Sequence, residues 1–283
     1  MATPGRMSNL SKTATKLCRE LYWKPRFRLA EKLYAATGID LISFKKLQSL
    51  RNAHSGQRVI VMGNGPSLGQ VPLDSLKGWT TFASNKIFLA FESTDWRPTY
   101  FTAEDDLVII QNIERLREKV DPASTVLIPY ICKVYRSDIY ADAYFGYSFR
   151  KLIDRKQHFG TDAMRELYNG FSVVYTQIQL AMYMGAKEIA LIGVDFSFKT
   201  DQEGQNNGEL IGGGAVNHFL KNYRKVGERW NPPLLEKQEI SFALAEQETS
   251  RLGVKVWNCT PGSKLDAFER LPLEAFMARG REA

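Results

Sequence analysis

Cysteine and histidine are scarce, three of each in 283 residues, and no long apolar run is present. Cys18, Cys132 and Cys259 lie far apart without Cys-x-x-Cys spacing. That excludes a disulfide scaffold and a cysteine-rich zinc site, and it fits a reducing compartment. No stretch approaches the ~20 apolar residues that cross a bilayer, and the N-terminus lacks the apolar core of a secretory signal. The expectation is a cytoplasmic protein. Hydrophobic residues at 44% and charged residues at 24% exclude a disordered chain.

Acidic residues are sparse in one region only. Residues 1–56 hold eleven Lys and Arg against three acids, a net +8, whereas the remainder carries 27 basic and 28 acidic residues, a net −1. An electrically balanced body argues against nucleic-acid binding, which wants a basic face on the folded domain. Within 1–56, Leu10, Ala14, Leu17 and Leu21 recur at helical spacing, Pro25 interrupts, and Phe27, Ala30, Leu33 and Tyr34 resume the pattern up to Gly38. A third stripe, Phe44, Leu47 and Leu50, precedes a polar joint at His54–Gln57. The reading is a basic amphipathic helical arm suited to peripheral attachment at an anionic inner-membrane surface. Its alternative is packing of the apolar stripe onto the domain or onto a second subunit of a homo-oligomer.

From Arg58 the pattern changes. The runs 59–62, 80–83, 99–102, 125–128, 189–192 and 254–257 read as buried strands, and 109–120, 173–184 and 236–252 read as helices between them. This alternation predicts that residues 57–283 form an α/β domain, a doubly wound, mostly parallel, Rossmann-like sheet whose ligands bind beyond the carboxyl ends of the strands. Asp201–Gly214, with Asn206-Asn207-Gly208 and Gly212-Gly213-Gly214, has a composition too flexible for an element. It reads as a flexible lid over about 200–216, or as a surface insertion.

Chemistry is therefore sought at strand ends. Gly63-Asn64-Gly65-Pro66-Ser67 follows the first strand; its glycines allow close backbone approach, and its amides, Asn and Ser can bind a nucleotide, although the spacing is neither GxGxxG nor a P-loop. Asn85 follows the second strand, and Glu104-Asp105-Asp106 the third. Asp105 and Asp106 suit either a cation or the cap of the following helix. Asp195, after 189–192, suits a sugar hydroxyl or a local turn. Thr260 and Ser263 add polar groups after the last strand. Of the three histidines, His218 follows the glycine-rich loop and opens a segment read as helical, and its titration range suits a general base. Arg224, Arg229 and Trp230 belong to a basic and aromatic stretch suited to an acceptor, with a solvated helix face as the alternative.

The order of these motifs carries more than any one of them. GNGPSL at 63–68, SN at 84–85, MGAKEIALIGVDF at 184–196, NHF at 217–219 and NCTPGSKL at 258–265 together resemble bacterial sialyltransferases of glycosyltransferase family 42. They also resemble the broader MptE-like family, which includes flagellin-glycosylation accessory proteins and archaeal pterin diphosphokinases. The resemblance spans about 57–270. It implies that Asn64, Gly65 and Ser67 contact a cytidine nucleotide, that Asn85 helps hold the donor, and that Ser172 is the nearest counterpart of a polar helix start in those enzymes. It further implies that His218 deprotonates the acceptor, in a single inverting displacement needing no metal or other cofactor. The partners are then a CMP-linked nucleotide sugar and a glycan or lipid-linked acceptor. Those sialyltransferases carry tyrosines after the GxDF motif, where this chain has Ser197, Phe198 and Thr200. The diphosphokinase branch implies instead ATP and Mg²⁺, with Asp105, Asp106 or Asp195 as ligands. A non-catalytic nucleotide-binding accessory protein is a third reading.

Overall fold

Val59, Ile60, Val61 and Met62 are all buried, and a strand buried on both faces belongs in the middle of a covered parallel sheet. The computed structural model describes residues 9–120, 124–135, 138–148, 156–197, 202–206, 209–212, 217–220, 223 and 229–283. Its first elements are helices α1 (Asn9–Thr37) and α2 (Phe44–Ser49), then strands β1 (Arg58–Met62), β2 (Thr81–Ser84) and β3 (Tyr100–Thr102). Helix α3 (Asp106–Lys119), β4 (Thr125–Pro129), α4 (Cys132–Tyr135), β5 (Ala143–Phe145), β6 (Tyr147–Ser148) and β7 (Leu167–Tyr168) follow. Next come α5 (Val173–Tyr183), β8 (Glu188–Ile192), β9 (Gln202–Asn206), β10 (Glu209–Gly212) and β11 (Arg229–Trp230). The chain closes with α6 (Leu235–Arg251), β12 (Lys255–Asn258), β13 (Glu269–Arg270) and α7 (Leu273–Ala278).

Eight strands form one sheet in the order β13-β12-β8-β1-β2-β3-β4-β5, and every pairing in it is parallel. The winding runs one way from β1 to β5 and the other way from β8 to β13. The reversal between β1 and β8 opens a crevice at their carboxyl ends. This is the doubly wound α/β architecture expected from the sequence. At the opposite, amino edge, Glu188 joins Arg58 at 2.9 Å, Arg279 at 2.9 Å and the Trp257 indole at 2.7 Å, so that edge is fastened by an ion network.

Three local expectations are revised. Pro25 does not interrupt the first helix: α1 runs through it. The proline removes a donor to the Leu21 carbonyl, but Leu21 is exposed and water can take the donor's place, while Trp23 and Phe27 on either side are anchored in the core. Their burial, with Ala30, Phe44, Leu47 and Leu50, packs the arm from residue 23 onto the domain; full burial of Phe27 alone contributes about 2–3 kcal/mol. Lys24 adds an ion pair to Glu166 at 2.7 Å. The stretch read as too flexible for an element contains the antiparallel strands β9 and β10, paired through Asn206 and Glu209. The segment opened by His218, read as the start of a helix, forms bends over His218–Leu220.

Candidate functional site

Two turns meet where the winding reverses. The Gly63 N–H donates to the Ile192 carbonyl at 2.8 Å and the Gly65 N–H to the Gly193 carbonyl at 2.9 Å. A Cβ at Gly63 would lie 2.3 Å from the Gly193 carbonyl oxygen, and one at Gly65 2.0 Å from the Asp195 carboxylate. Both glycines are therefore demanded by the contact between the turns. Asp195 accepts from the Ser67 N–H at 3.1 Å and from its hydroxyl at 2.8 Å, capping the short 3₁₀ turn Pro66–Gln70 from a distance in sequence.

A third turn locks the second. The Thr260 hydroxyl accepts from the Val194 N–H at 3.1 Å and donates to the Leu191 carbonyl at 3.2 Å. The Ser263 hydroxyl donates to the Val194 carbonyl at 2.6 Å, and the Lys264 N–H donates to the Asp195 carbonyl at 2.9 Å. Ser67, Thr260 and Ser263 are buried. These three and Asp195 thus spend polar groups on one another and on backbone, holding the crevice in shape.

Different groups line the crevice on the β1–β2 side. The Asn64 side-chain N–H donates to the Ser84 carbonyl at 3.2 Å and hydroxyl at 3.3 Å, which turns its side-chain carbonyl the other way. That oxygen is buried and has no hydrogen-bond partner among the described residues, and the same holds for the Asn85 side-chain carbonyl and the Thr102 hydroxyl. Buried polar atoms are seldom left unpaired. Asn85 adopts φ +55°, a left-handed conformation that Asn tolerates better than most residues and that concentrates at functional positions.

The carbonyl of Asn64 also receives the segment around His218. It accepts from the Phe219 N–H at 3.2 Å and lies 3.2 Å from His218 Nδ1. A carbonyl only accepts, so the ring proton sits on Nδ1 and the neutral imidazole carries its basic lone pair on Nε2. Tyr223 stacks on the ring at 3.9 Å and 21°. Lys86, buried, donates from Nζ to the Tyr223 carbonyl at 3.0 Å, and its Nζ lies 5.5 Å from the Tyr223 ring centroid. Sequence reasoning overlooked Lys86; a single cation opening the apolar run 87–91, directly after Ser84-Asn85, was the signal.

Of the remaining candidates, Asp105 caps α3, accepting from the Leu107 N–H at 2.9 Å, and also takes the Asn231 side-chain N–H at 3.3 Å. Asp106 is the first residue of α3; its side chain lies outside the described residues. Arg224 lies outside them as well, as do the side chains of Arg229 and Trp230, whose backbone forms β11. Pro66 is exposed at the turn, and Ser172 precedes α5 without capping it. Glu104, beyond β3, accepts from the Tyr147 hydroxyl, from Thr176 at 2.7 Å and from Asn169 at 3.4 Å. Burial first, and the Glu104 charge second, hold the Tyr147 phenol well above its ordinary pKa. Tyr147 and Asn169 come from segments to which the sequence assigns no chemistry, so this network was not legible there.

Residues 38–201 match the family described as 6-hydroxymethylpterin diphosphokinase MptE-like. The chain belongs to the MptE-like family. The match takes in the first two turns, up to Asp195, and leaves His218 and the third turn beyond its end. A comparison with curated proteins returns no match. Among solved structures, this MptE-like chain is similar to the Maf glycosyltransferase from Magnetospirillum magneticum AMB-1, at 14% identity and TM-score 0.48. That likeness covers 80% of this chain but only 37% of that one. It is similar to the sialyltransferase CstII from Campylobacter jejuni in complex with cytidine-5'-monophosphate, at 18% identity and TM-score 0.42, covering 77% of this chain and 85% of that one. The α-2,3-sialyltransferase Cst-I from Campylobacter jejuni stands at 15% identity and TM-score 0.47, with 77% and 81% covered.

Proposed function

We propose that the chain is a glycosyltransferase that moves a sialic-acid-like sugar from a CMP-activated donor to a glycan or lipid-linked acceptor. One observation carries this reading: buried side-chain oxygens of Asn64 and Asn85, without partners among the described residues, sit at the same carboxyl edge as an imidazole whose basic nitrogen is Nε2. Acceptors of that kind call for donors on a ligand, and the amino group and ribose hydroxyls of a cytidine nucleotide supply them. The motif order read in the sequence supports the same class.

In the reaction, the acceptor hydroxyl oxygen bonds to the anomeric carbon while His218 Nε2 takes its proton. The bond from that carbon to the CMP phosphate oxygen breaks, and its electron pair leaves with CMP. A nucleoside monophosphate is a good leaving group, so hydrogen-bond donors and a nearby cation suffice at the phosphate; Lys86 is the cation assigned here. The test follows CMP release from a CMP-activated nonulosonic acid. Release that His218→Asn abolishes supports the proposal, and equal release by both proteins contradicts it.

The family's name favours a second reading, an ATP- and Mg²⁺-dependent diphosphokinase. Two of the three carboxylates it would use are engaged elsewhere: Asp105 on the cap of α3 and on Asn231, and Asp195 on Ser67, while the Asp106 side chain lies outside the described residues. Among the described residues no three His, Cys, Asp or Glu side chains come together as a metal site. The glycosyl-transfer reading uses instead the Asn64 and Asn85 side-chain oxygens, which have no partner among the described residues.

A further inference from the structure

Helix α1 is apolar on two opposite sides. One side, Trp23, Phe27 and Ala30, is buried in the core. The other is outward: Leu21 is 72% and Leu29 67% exposed, and in the turn after the helix Ile39 is 53% and Leu41 62% exposed. With Tyr22, residues 21–41 hold five of the ten large apolar side chains exposed among the described residues. The described residues cover only the first of these sides.

Charge decides what covers the other. Residues 21–50 contain six Lys and Arg against two acids. Arg26, Arg28, Lys32, Lys45 and Lys46 are exposed. Asp40 is already engaged by the Phe44 and Lys45 N–H groups at 2.7 and 2.9 Å, and Glu31 by Arg28 at 2.9 Å. Arg26 lies 3.3 Å over the Tyr22 ring, a pairing of aromatic body and charged tip that suits the boundary between apolar and wet regions. A second copy would set a positive face against a positive face, and a nucleic acid would leave the leucines in water. Leucines ringed by cations fit the headgroup boundary of an anionic bilayer, where apolar burial and charge attraction add.

We infer that the outward face of α1 and the turn after it dock the protein on an anionic lipid surface. The experiment is co-sedimentation of the full chain with vesicles of phosphatidylcholine alone and of phosphatidylcholine with about 30% phosphatidylglycerol, a charge density that attracts basic segments. The anionic vesicles are expected to bind the protein and the neutral ones to bind it far less. Leu21→Ser with Leu29→Ser should weaken binding about tenfold or more, and Arg28→Gln with Lys32→Gln should remove most of the preference for anionic lipid. These side chains are exposed, so the melting temperature should stay put, which separates docking from folding. No binding to either vesicle, or binding that both double substitutions leave unchanged, overturns the inference. So does a soluble dimer that the leucine substitutions dissociate, because the face would then be covered by a second copy.

Discussion

The Ser67 hydroxyl donates to the Asp195 carboxylate at 2.8 Å across 128 residues of sequence. This bond ties the turn after β1 to the turn after β8 at the reversal of the sheet, and Thr260 and Ser263 hold the second turn from behind. The junction of the turns is thereby held by Ser67, Asp195, Thr260 and Ser263.

Asp195→Asn weakens two charge-assisted hydrogen bonds at that junction. A loss of about 2 kcal/mol is expected, which for a chain of this size lowers the melting temperature by roughly 4–8 °C. Ser67→Ala should cost about half as much. A melting temperature unchanged in both would show that the latch contributes nothing.

Gly65→Ala places a methyl group against the same carboxylate, 2.0 Å away. It should destabilise the protein more than Asp195→Asn does. Because the clash is with Asp195, the double substitution Gly65→Ala with Asp195→Gly should cost less than the sum of the two single changes, a coupling measurable by urea denaturation. Strict additivity would place the strain elsewhere.

His218→Asn keeps a side chain able to donate to the Asn64 carbonyl but removes the base. Transfer should fall by about 10²–10⁴-fold, while CMP affinity, measured by calorimetry, stays within about threefold because the nucleotide contacts are assigned to other residues. An equal loss of binding and rate would make His218 a binding residue.

Alkaline pH should destabilise the fold. Burial pushes the Tyr100 and Tyr183 phenols up to about 12, and it raises Tyr147 and Tyr175 further. In the unfolded chain these groups ionise near pH 10. Between pH 10 and 12 the native state therefore binds more protons than the unfolded state, and stability falls as pH rises through that window. Urea midpoints at pH 8, 10 and 11 check this, and a midpoint constant across the window contradicts it.

Much of the fold was legible because its central strands are short apolar runs, which burial in a parallel sheet imposes, and β1, β2, β8 and β12 end at or next to glycine or asparagine. The central strands, three major helices and the crevice follow from that pattern alone. Strand β5 was not visible: Ala143–Phe145 is three residues long and is defined by its partner β4 rather than by any signal of its own. At the candidate site, the glycine turn, Asn64 and Asn85 were singled out because they follow strand ends, and His218 because it follows the glycine-rich loop. What the sequence could not separate was polar groups that hold the scaffold from polar groups that face a ligand. Ser67, Asp195, Thr260 and Ser263 look like ligand contacts in one dimension, and only their pairing across 60 to 130 residues, as in Ser263 with Val194 and Ser67 with Asp195, shows them holding the turns.

The central claim is that the crevice is a metal-independent cytidine nucleotide site built on Asn64 and Asn85. Thermal shift with CMP, CDP, UDP, GDP and ATP, each with and without Mg²⁺, tests it directly, since a ligand at about 100 times its Kd stabilises the native state by ~2.7 kcal/mol. The account predicts that CMP raises the melting temperature equally with and without Mg²⁺, and that Asn64→Ala with Asn85→Ala abolishes the shift. Stabilisation by ATP only in the presence of Mg²⁺, with none by CMP, would contradict it.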